Sequence, residues 1–509
     1  MRSASKVMLN TCVLYGRMLL TVGVSLYTTR LVLNALGHTD YGIFNLVAGV
    51  IAMLSFLNTA MATSTQRFLS FNQGKNDRAM QRNIFINSLF LHVIIGGVIV
   101  VVLEMAGLIL FADFLNIPPD RIEAAKTIFH YMSITVFFSV ISVPFVGILT
   151  SHENMIWIAV VNITETTLRL GIAWALLYID SDKLIVYGIL NAGISVISLV
   201  LYGTYCFNKY SECAFKGPKI ISRGLLRKLT SFAGWNLFGT VCGLSRTQGI
   251  AILLNLFLGA VVNAAYGIAN QVASQLNFFS ATLLRVLNPQ IMKSEGANDR
   301  SRMLRLSMMA SKFGFFLLAF IAVPCIFEME SILIVWLGDV PDGATVFCIL
   351  NLVGLLVNQL TIGLQSAIQA TGRIKVYQTL IGTVLLLNLP IAYLLLHSGK
   401  AAYTVLVSFI LIEAVACTLR LVILKSLAGL SINTFVNRVF MREIIPLCCA
   451  VLVCFLVTSN FEGEGRFIIT IVCSSLVFIV TVYFLGLCQD EKILVDQVFC
   501  RLQKRVFSS

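Results

Sequence analysis

Arginine side chains stand inside stretches of the sequence that are long and apolar enough to cross a membrane. Arg17 and Arg30 lie in the first stretch, Arg246 lies near the centre of the seventh, and no carboxylate in these stretches neutralises them. Because a charge at hydrocarbon depth is costly, such residues usually line a pathway rather than face lipid. A guanidinium group presents a planar fork of donors that suits phosphate oxygens. The three arginines therefore predict a cavity that binds an anion.

For Arg17 and Arg30 a second interpretation stays open. Neither residue lies at the exact centre of its stretch, so each side chain could extend its guanidinium group toward a membrane surface. Arg285 lies near the cytoplasmic end of the eighth stretch, and this position favours a guanidinium group directed to the membrane surface. The two interpretations differ in their consequence, because only a cavity role makes alanine at these positions impair function.

Acidic residues at membrane depth form a second set of candidates, for ion coupling. Glu165 and Arg169 are four residues apart in the fifth stretch and share one helix face. They form either a structural ion pair or a functional group in which Glu165 takes up a proton, since burial favours a neutral carboxyl group. Glu413 and Arg420 in the twelfth stretch favour a structural pair. Glu104 has no partner in its own stretch and is a candidate for cation coupling.

Amide side chains crowd the apolar stretches of the second half. Sugar hydroxyls need both donors and acceptors, and an amide group supplies both. Amides inside a bilayer also form hydrogen bonds between helices, and that interpretation stays equally open. The candidate sugar contacts are Asn270, Gln271, Gln275, Asn358, Gln365 and Gln369.

The elements that must position these residues are transmembrane helices. The 509 residues are 58% hydrophobic and only 12% charged, a balance that a soluble chain of this length could not bury. Apolar runs of roughly 20 or more residues can cross about 30 Å of hydrocarbon as helices. The sequence therefore predicts an all-α polytopic membrane protein with about 14 transmembrane helices. The predicted spans are 10–36, 41–65, 84–111, 123–150, 155–178, 184–206, 230–257, 261–286, 307–334, 344–370, 376–397, 401–424, 441–458 and 467–486.

Lysine and arginine concentrate in the connections on one side of the predicted membrane. The opposite side holds only Arg121, Lys183, Lys400 and Arg466. Because positively charged connections stay inside the cell, both termini are predicted to be cytoplasmic, as in an inner-membrane protein. The formal net charge of +13 is then explained by contact with anionic headgroups, and no nucleic acid partner is expected.

Two short motifs recur in the second half of the chain at nearly equal separations. Tyr-Gly-Ile-Phe-Asn at 41–45 is echoed by Tyr-Gly-Ile-Ala-Asn at 266–270, and Gly-Lys-Asn-Asp-Arg at 74–78 by Gly-Ala-Asn-Asp-Arg at 296–300. The echoes predict two six-helix lobes related by a pseudo-twofold axis along the membrane normal. The predicted parts are an N-terminal lobe (1–207), a cytoplasmic linker (208–229), a C-terminal lobe (230–424), two extra transmembrane helices (425–486) and an amphipathic cytoplasmic tail (487–509).

These motifs and this span pattern resemble the polysaccharide and oligosaccharide-lipid flippases (Wzx-like) of the multidrug/oligosaccharidyl-lipid/polysaccharide exporter superfamily. Residues 365–375 resemble the Gln-Ala-x-Gly-basic segment at the turn between spans 10 and 11 of that superfamily. The resemblance covers essentially the whole chain. It implies export of an undecaprenyl-pyrophosphate-linked oligosaccharide for O-antigen, capsule or exopolysaccharide synthesis, by alternating access.

The resemblance also sets expectations about partners and alternatives. It implies contact with membrane lipids, a coupling ion (H⁺ or Na⁺) and a polysaccharide polymerase partner. No phosphate-binding loop or catalytic cluster is present, so neither a cofactor nor enzymatic activity is expected. A lipid II flippase and a multidrug extruder of the same fold are the alternatives. The extruder should carry an acidic residue in span 1, where this sequence has two arginines and no acid.

Overall fold

The computed structural model describes residues 2–52, 55–111, 117–214, 221–461, 463 and 465–493, and this part of the chain is helical without a strand. Helices are expected, because in hydrocarbon each span must satisfy its own backbone hydrogen bonds. The helices are α1 (Arg2–Ala52), α2 (Ser55–Gly74), α3 (Arg78–Ile109), α4 (Ile122–Ser151), α5 (Met155–Ala175), α6 (Lys183–Lys209), α7 (Arg223–Leu258), α8 (Ala260–Gly296), α9 (Arg300–Phe327), α10 (Met329–Leu337), α11 (Ala344–Gln359), α12 (Ile362–Thr371), α13 (Lys375–Leu386), α14 (Asn388–His397), α15 (Tyr403–Ala428), α16 (Ile432–Phe435), α17 (Met441–Asn460) and α18 (Arg466–Thr481).

The described residues contain 11 helices long and apolar enough to cross a membrane, or up to 12 if a bent pair counts as one span. The predicted count of 14 is not reached by this criterion, although every predicted span overlaps at least one helix. Two causes account for the difference. The first predicted span and the start of the second form one continuous helix, α1. Helices α2 and α8 carry too many polar residues to qualify. The protein is a multi-pass membrane protein.

The chain forms two compact units, which we call the N-terminal unit (Met8–Leu237) and the C-terminal unit (Met1–Val7 with Phe238–Ser509). In the N-terminal unit, Phe85, Leu149 and Cys206 lie in a fully buried apolar core. The predicted linker 208–229 contains a 3₁₀ turn, Ser211–Cys213, and the first turns of α7. The predicted division into lobes, linker and extra helices stays a prediction.

The C-terminal unit has two apolar cores. One gathers Tyr266 and Phe347, which are almost completely buried, from α8 and α11. The other joins α9 to the last two spans, where Phe316 meets Phe478 with ring centroids 6.1 Å apart. The predicted amphipathic tail begins as a helix after Cys488, and residues 494–509 lie outside the described part.

The repeated motifs adopt the same backbone conformation in both units. Asn76 and Asn298 have φ of 57° and 59°, the left-handed region that asparagine tolerates. Asp77 and Asp299 then cap α3 and α9, each accepting a 2.9 Å hydrogen bond from the backbone N–H three residues later. The two copies of the motif therefore form the same helix–turn–helix connection.

A glycine interrupts the helical conformation at an equivalent place in each unit, ahead of these connections. Gly37 has φ 76° and ψ 173°, and Gly259 has φ 85° and ψ −177°. This backbone conformation is accessible to glycine and strained for other residues. Gly37 interrupts α1 at the boundary between predicted spans 1 and 2, and Gly259 separates α7 from α8.

Helices α11 and α12 form one broken span, bent by 43° at Leu360–Thr361. Beyond the bend, Gly363 lies against the backbone of α9. A Cβ atom added to Gly363 would lie 2.1 Å from the carbonyl oxygen of Ser307 and 2.7 Å from the backbone nitrogen of Ser311. The serine hydroxyl of Ser311 accepts a 3.0 Å hydrogen bond from the Gly363 N–H. The crossing therefore requires glycine.

Candidate functional site

A buried cluster of charges lies inside the C-terminal unit, between α7 and α15. The Nη1 atom of Arg246 lies 3.0 Å from one carboxylate oxygen of Glu413, and the Nη2 atom of Arg420 lies 3.2 Å from the other. Glu413 is 1% exposed and Arg420 is 3% exposed. The expected pairing of Glu413 with Arg420 is present. The expectation that Arg246 has no counter-ion is wrong, because Glu413 approaches it from a helix distant in sequence.

Neutral groups at the break of the α11–α12 span complete this cluster. Asn358 donates a hydrogen bond to Glu413, and Arg420 donates through Nη1 to the hydroxyl of Thr361 at 3.2 Å. The ring centroid of Phe409 lies 4.1 Å from the guanidinium carbon of Arg246, a cation–π contact. Broken transmembrane helices often mark binding sites, because they leave polar groups at membrane depth. With all three charged groups ionised, the cluster carries one net positive charge.

The candidate sugar contacts fall into two groups. Asn270 accepts a 2.9 Å hydrogen bond from Asn351 and so links α8 to α11, as the interhelical interpretation expects. Asn358 belongs to the charge cluster, and Gln369 is buried. Gln271 and Gln275 are exposed on α8.

The exposed amides lie on one face of α8. Gln271, Ser274 and Gln275 lie within one turn of that helix and are exposed together. Gln365, on α12, is half-buried. A face with both donors and acceptors suits a hydroxyl-rich ligand better than hydrocarbon. Of the predicted sugar contacts, Gln271 and Gln275 on this face are the ones that a ligand could reach from outside the helix packing.

The N-terminal unit holds the other arginine and glutamate candidates. Arg17 is half-buried and Arg30 is exposed. Arg17 on α1 and Glu165 on α5 each act electrostatically on the hydroxyl of Tyr202 on α6. Glu165 and Arg169 form no ion pair with each other in the described ranges, and Arg169 is exposed. The role of Glu165 in ion coupling stays a prediction.

Glu104 on α3 has a partner that its own helix does not supply. One of its carboxylate oxygens lies 2.6 Å from Nδ1 of His130 on α4. The side chain of His130 is 61% exposed, so the pair lies at the periphery of the unit. Its role in cation coupling stays a prediction.

An ion-pair network that the sequence analysis missed joins α1 to the starts of α4 and α6 in the N-terminal unit. Arg121 donates to both oxygens of Asp40, at 2.8 and 2.5 Å, and to Asp182 at 2.7 Å. Burial disfavours the ionised Asp182, but the hydrogen bonds from Arg121 and from the backbone N–H groups of Ile185 and Leu184, with the positive charge of Arg121, together outweigh burial and lower the pKa of Asp182 below its ordinary value. Asp182 also caps α6. The Asp-Ser-Asp segment 180–182 is thus part of a structural turn.

A second missed set of buried charges lies where α9 meets the last two spans. Lys312 is 1% exposed, and its Nζ lies 2.5 Å from a carboxylate oxygen of Glu491. Glu443 is completely buried, and its two oxygens have no hydrogen-bond partner among the described residues. Both Lys312 and Glu443 fall inside predicted spans 9 and 13. The criterion that selected Arg246, a charge within an apolar stretch, would have found them.

Comparison with known proteins adds a family and a fold. Residues 5–295, more than half of the chain, match the family model described as polysaccharide biosynthesis protein. No curated protein matches this sequence. Among solved structures, MATE in the bent conformation is similar with a TM-score of 0.72 and 14% identity, covering 84% of this chain and 94% of that one.

Two further structures extend this likeness. An outward-facing multidrug resistance MATE family transporter of the MOP superfamily gives a TM-score of 0.68 at 14% identity, covering 84% of this chain and 95% of that one. A MOP superfamily transporter from Pyrococcus furiosus is described as having a binding pocket of reverse polarity. It gives a TM-score of 0.70 at 14% identity, covering 84% of this chain and 95% of that one. At such identities the likeness concerns the fold. The chain belongs to the polysaccharide biosynthesis protein family and has the fold of the MOP superfamily transporters, the superfamily that its sequence resembles.

Proposed function

We propose that this protein is a flippase that moves an undecaprenyl-pyrophosphate-linked oligosaccharide across the bacterial inner membrane, with both termini in the cytoplasm. The observation that carries the proposal is the cluster in which Arg246 and Arg420 share one carboxylate. Two guanidinium groups against one glutamate leave an excess positive charge at membrane depth, which favours an anionic ligand. Membership of the polysaccharide biosynthesis protein family supports a glycan as the rest of that ligand.

The pyrophosphate group suits this cluster chemically. Arg246 uses one nitrogen for Glu413, so its remaining N–H donors can bind a phosphate oxygen in the bidentate manner typical of arginine. A pyrophosphate would compete with Glu413 for Arg246. The exposed amides Gln271 and Gln275 supply donors and acceptors for sugar hydroxyls. The prenyl tail stays in lipid while alternating access transfers the headgroup, and H⁺ or Na⁺ drives the cycle.

The polarity of the site argues against a multidrug extruder of the same fold. An extruder of cations needs an acidic residue facing its ligand, and predicted span 1 has none. Asp40, just beyond that span, is held by Arg121. A structurally similar MOP superfamily transporter from Pyrococcus furiosus is itself described as having a binding pocket of reverse polarity that suggests a different function. A lipid II flippase would share the pyrophosphate chemistry and is the second candidate.

The test removes the excess charge without removing the buried ion pair. In Arg246→Gln, Glu413 keeps Arg420 as its partner, so the fold should survive while anion binding is lost. Cells that depend on this protein for surface glycan should lose most of the glycan with Arg246→Gln and retain part of it with Arg246→Lys. Arg302→Gln, an exposed arginine at the start of α9, is the matched control. Protein abundance in the membrane fraction is measured for each variant.

The alternatives are separated in the same strains. Wild-type glycan display by Arg246→Gln and by Arg30→Ala at normal abundance would refute the proposal. Rescue of cells depleted of their lipid II flippase would assign the protein to cell-wall synthesis. Resistance to cationic drugs that depends on Arg246 would assign it to drug export.

A further inference from the structure

A cavity of about 550 Å³ opens in the C-terminal unit, on elements other than those of the Arg246 cluster. It lies where the first turns of α9, the segment between α16 and α17, and the chain after α18 come together. Its lining residues are Arg305, Asn437, Arg438, Arg442, Cys488, Gln489 and Asp490. Three of these are arginines and one is acidic. We call this cavity the arginine pocket.

The arginine pocket has an excess of positive charge that its own residues do not neutralise. Nη1 of Arg438 lies 3.7 Å from Asp490, and both side chains are close to half exposed, so this ion pair is weak. Arg442 gives one N–H to the carbonyl of Leu485 at 2.8 Å, which orients its guanidinium group and leaves other donors available. Arg305 is exposed. Convergent guanidinium groups of this kind bind phosphate oxygens.

Buried interactions hold the walls of the pocket in place. The Nζ atom of Lys312 donates to the carbonyls of Arg438 and Gly486, at 3.2 and 3.4 Å, and to Glu491 at 2.5 Å. Both wall segments contain a π-helical turn, Val436–Phe440 and Val482–Gly486. Such turns are rare and frequently lie at functional sites. The backbone of both wall segments is therefore held by buried interactions.

The surroundings of the pocket suit an amphiphile. Met441, Ile445, Phe484 and Leu485 lie beside its lining residues along the chain and are each 43–62% exposed. A charged group at the end of a membrane span, next to exposed apolar side chains, matches the boundary between headgroups and acyl chains. The connections at this end of α9 and α17 are on the predicted cytoplasmic side, where anionic lipids interact with basic residues.

We propose that the arginine pocket binds the phosphate headgroup of an anionic membrane phospholipid, whose acyl chains lie along the exposed apolar side chains of α17 and the segment after α18. This site is separate from the proposed transport site. It would fasten the last two spans to the lipid of the cytoplasmic leaflet.

The test measures lipid binding to the full-length protein in detergent by native mass spectrometry. Phosphatidylglycerol should bind, and phosphatidylcholine should bind much more weakly. Each removal of an arginine, in Arg305→Gln, Arg438→Gln or Arg442→Gln, should weaken phosphatidylglycerol binding roughly fivefold, the equivalent of about 1 kcal/mol per basic residue near a charged lipid surface. Arg438→Lys keeps the charge and should weaken binding less than Arg438→Gln.

The control is Arg302→Gln, an exposed arginine one turn before Arg305 that does not line the pocket. Thermal unfolding of each variant identifies changes caused by loss of fold. Phosphatidylglycerol binding that is equal in the pocket variants and in the wild type would overturn the proposal. Binding of undecaprenyl pyrophosphate without phosphatidylglycerol, or full displacement of the lipid by inorganic phosphate at matched concentration, would overturn it as well. None of these measurements depends on transport.

Discussion

The two units share their backbone signals and differ in their buried charges. Gly37 and Gly259 adopt the same conformation, and the capped turns at Asn76 and Asn298 match. Val24 stands as far before Gly37 as Arg246 stands before Gly259, so the N-terminal unit has no arginine at the place of the C-terminal cluster. The two units therefore share the turns that build the helix framework and differ in their buried charges. The proposed function assigns ligand binding to those charges and not to the shared framework.

The largest expected effect concerns the C-terminal charge cluster. Glu413→Gln leaves Arg246 and Arg420 buried without a counter-charge, and we expect a loss of about 3–5 kcal/mol in the free energy of unfolding. Glu104→Gln, whose partner His130 is exposed, should cost less than about 1 kcal/mol. Denaturant unfolding in detergent measures both variants. Equal losses of unfolding free energy for Glu413→Gln and Glu104→Gln would contradict a difference in buried charge between the two units.

Lys312 offers a second buried charge in the C-terminal unit. Lys312→Met leaves Glu491 without its ammonium partner and should destabilise the protein by about 3 kcal/mol. Removing both charges in Lys312→Met with Glu491→Leu should recover the part of that loss that arises from the unpaired carboxylate, but not the part that arises from the carbonyls of Arg438 and Gly486, which lose their donor in both variants. A double variant as unstable as the single one would show that packing, and not charge, explains the cost.

The repeated glycines should respond alike in the two units. Gly37→Ala and Gly259→Ala each force alanine into positive φ, and no atom lies within 4 Å of the added methyl group in either case. Each should therefore cost about 1–2 kcal/mol of unfolding free energy, from backbone strain alone. Gly42→Ala and Gly267→Ala, which lie in ordinary helix with equal space, serve as controls and should be neutral or stabilising. Unequal losses of unfolding free energy at Gly37 and Gly259 would contradict the structural equivalence of the two glycines.

The smallest effect is a pH dependence in the N-terminal unit. Hydrogen bonding to His152 lowers the pKa of Glu212, which lies outside the membrane spans, below its ordinary value of 4.5. A depressed carboxyl pKa stabilises the folded protein above pH 4.5, and the contribution is lost as the pH falls through the lower, folded-state value. Between pH 7 and pH 4, the free energy of unfolding should decrease slightly less for Glu212→Gln than for the wild type. An identical decrease in both proteins would show that Glu212 does not contribute to the pH dependence of stability.

Local signals in the sequence predicted much of the fold. Apolar length predicted the helices, and the repeated Asn-Asp turns predicted two related halves. The pair Glu413–Arg420 was predicted because both residues lie on one face of one helix. The count of 14 transmembrane helices is not confirmed among the described residues, because the polar side chains of α2 and α8 reduce their hydropathy below that of a typical span.

Contacts between distant helices account for what the sequence did not predict. The partner of Arg246 comes from α15, and no periodicity within α7 indicates it. Lys312 pairs with Glu491, which follows the last predicted span, and nothing within span 9 indicates that partner. Arg121 was counted only as one of the few basic residues on the outer side of the membrane, and its two aspartate partners were not predicted. Side-chain partners of this kind depend on the packing of whole helices.

The absent side chain of Gly363 restricts how the C-terminal unit can change shape. Because α12 touches the main chain of α9 there, without room for even one methyl group, sliding of the two helices past each other would produce a steric clash. We therefore expect α9 and α12 to travel as a single rigid piece. Any flexing of this unit would then concentrate at Leu360–Thr361, where the helical hydrogen bonding is already interrupted.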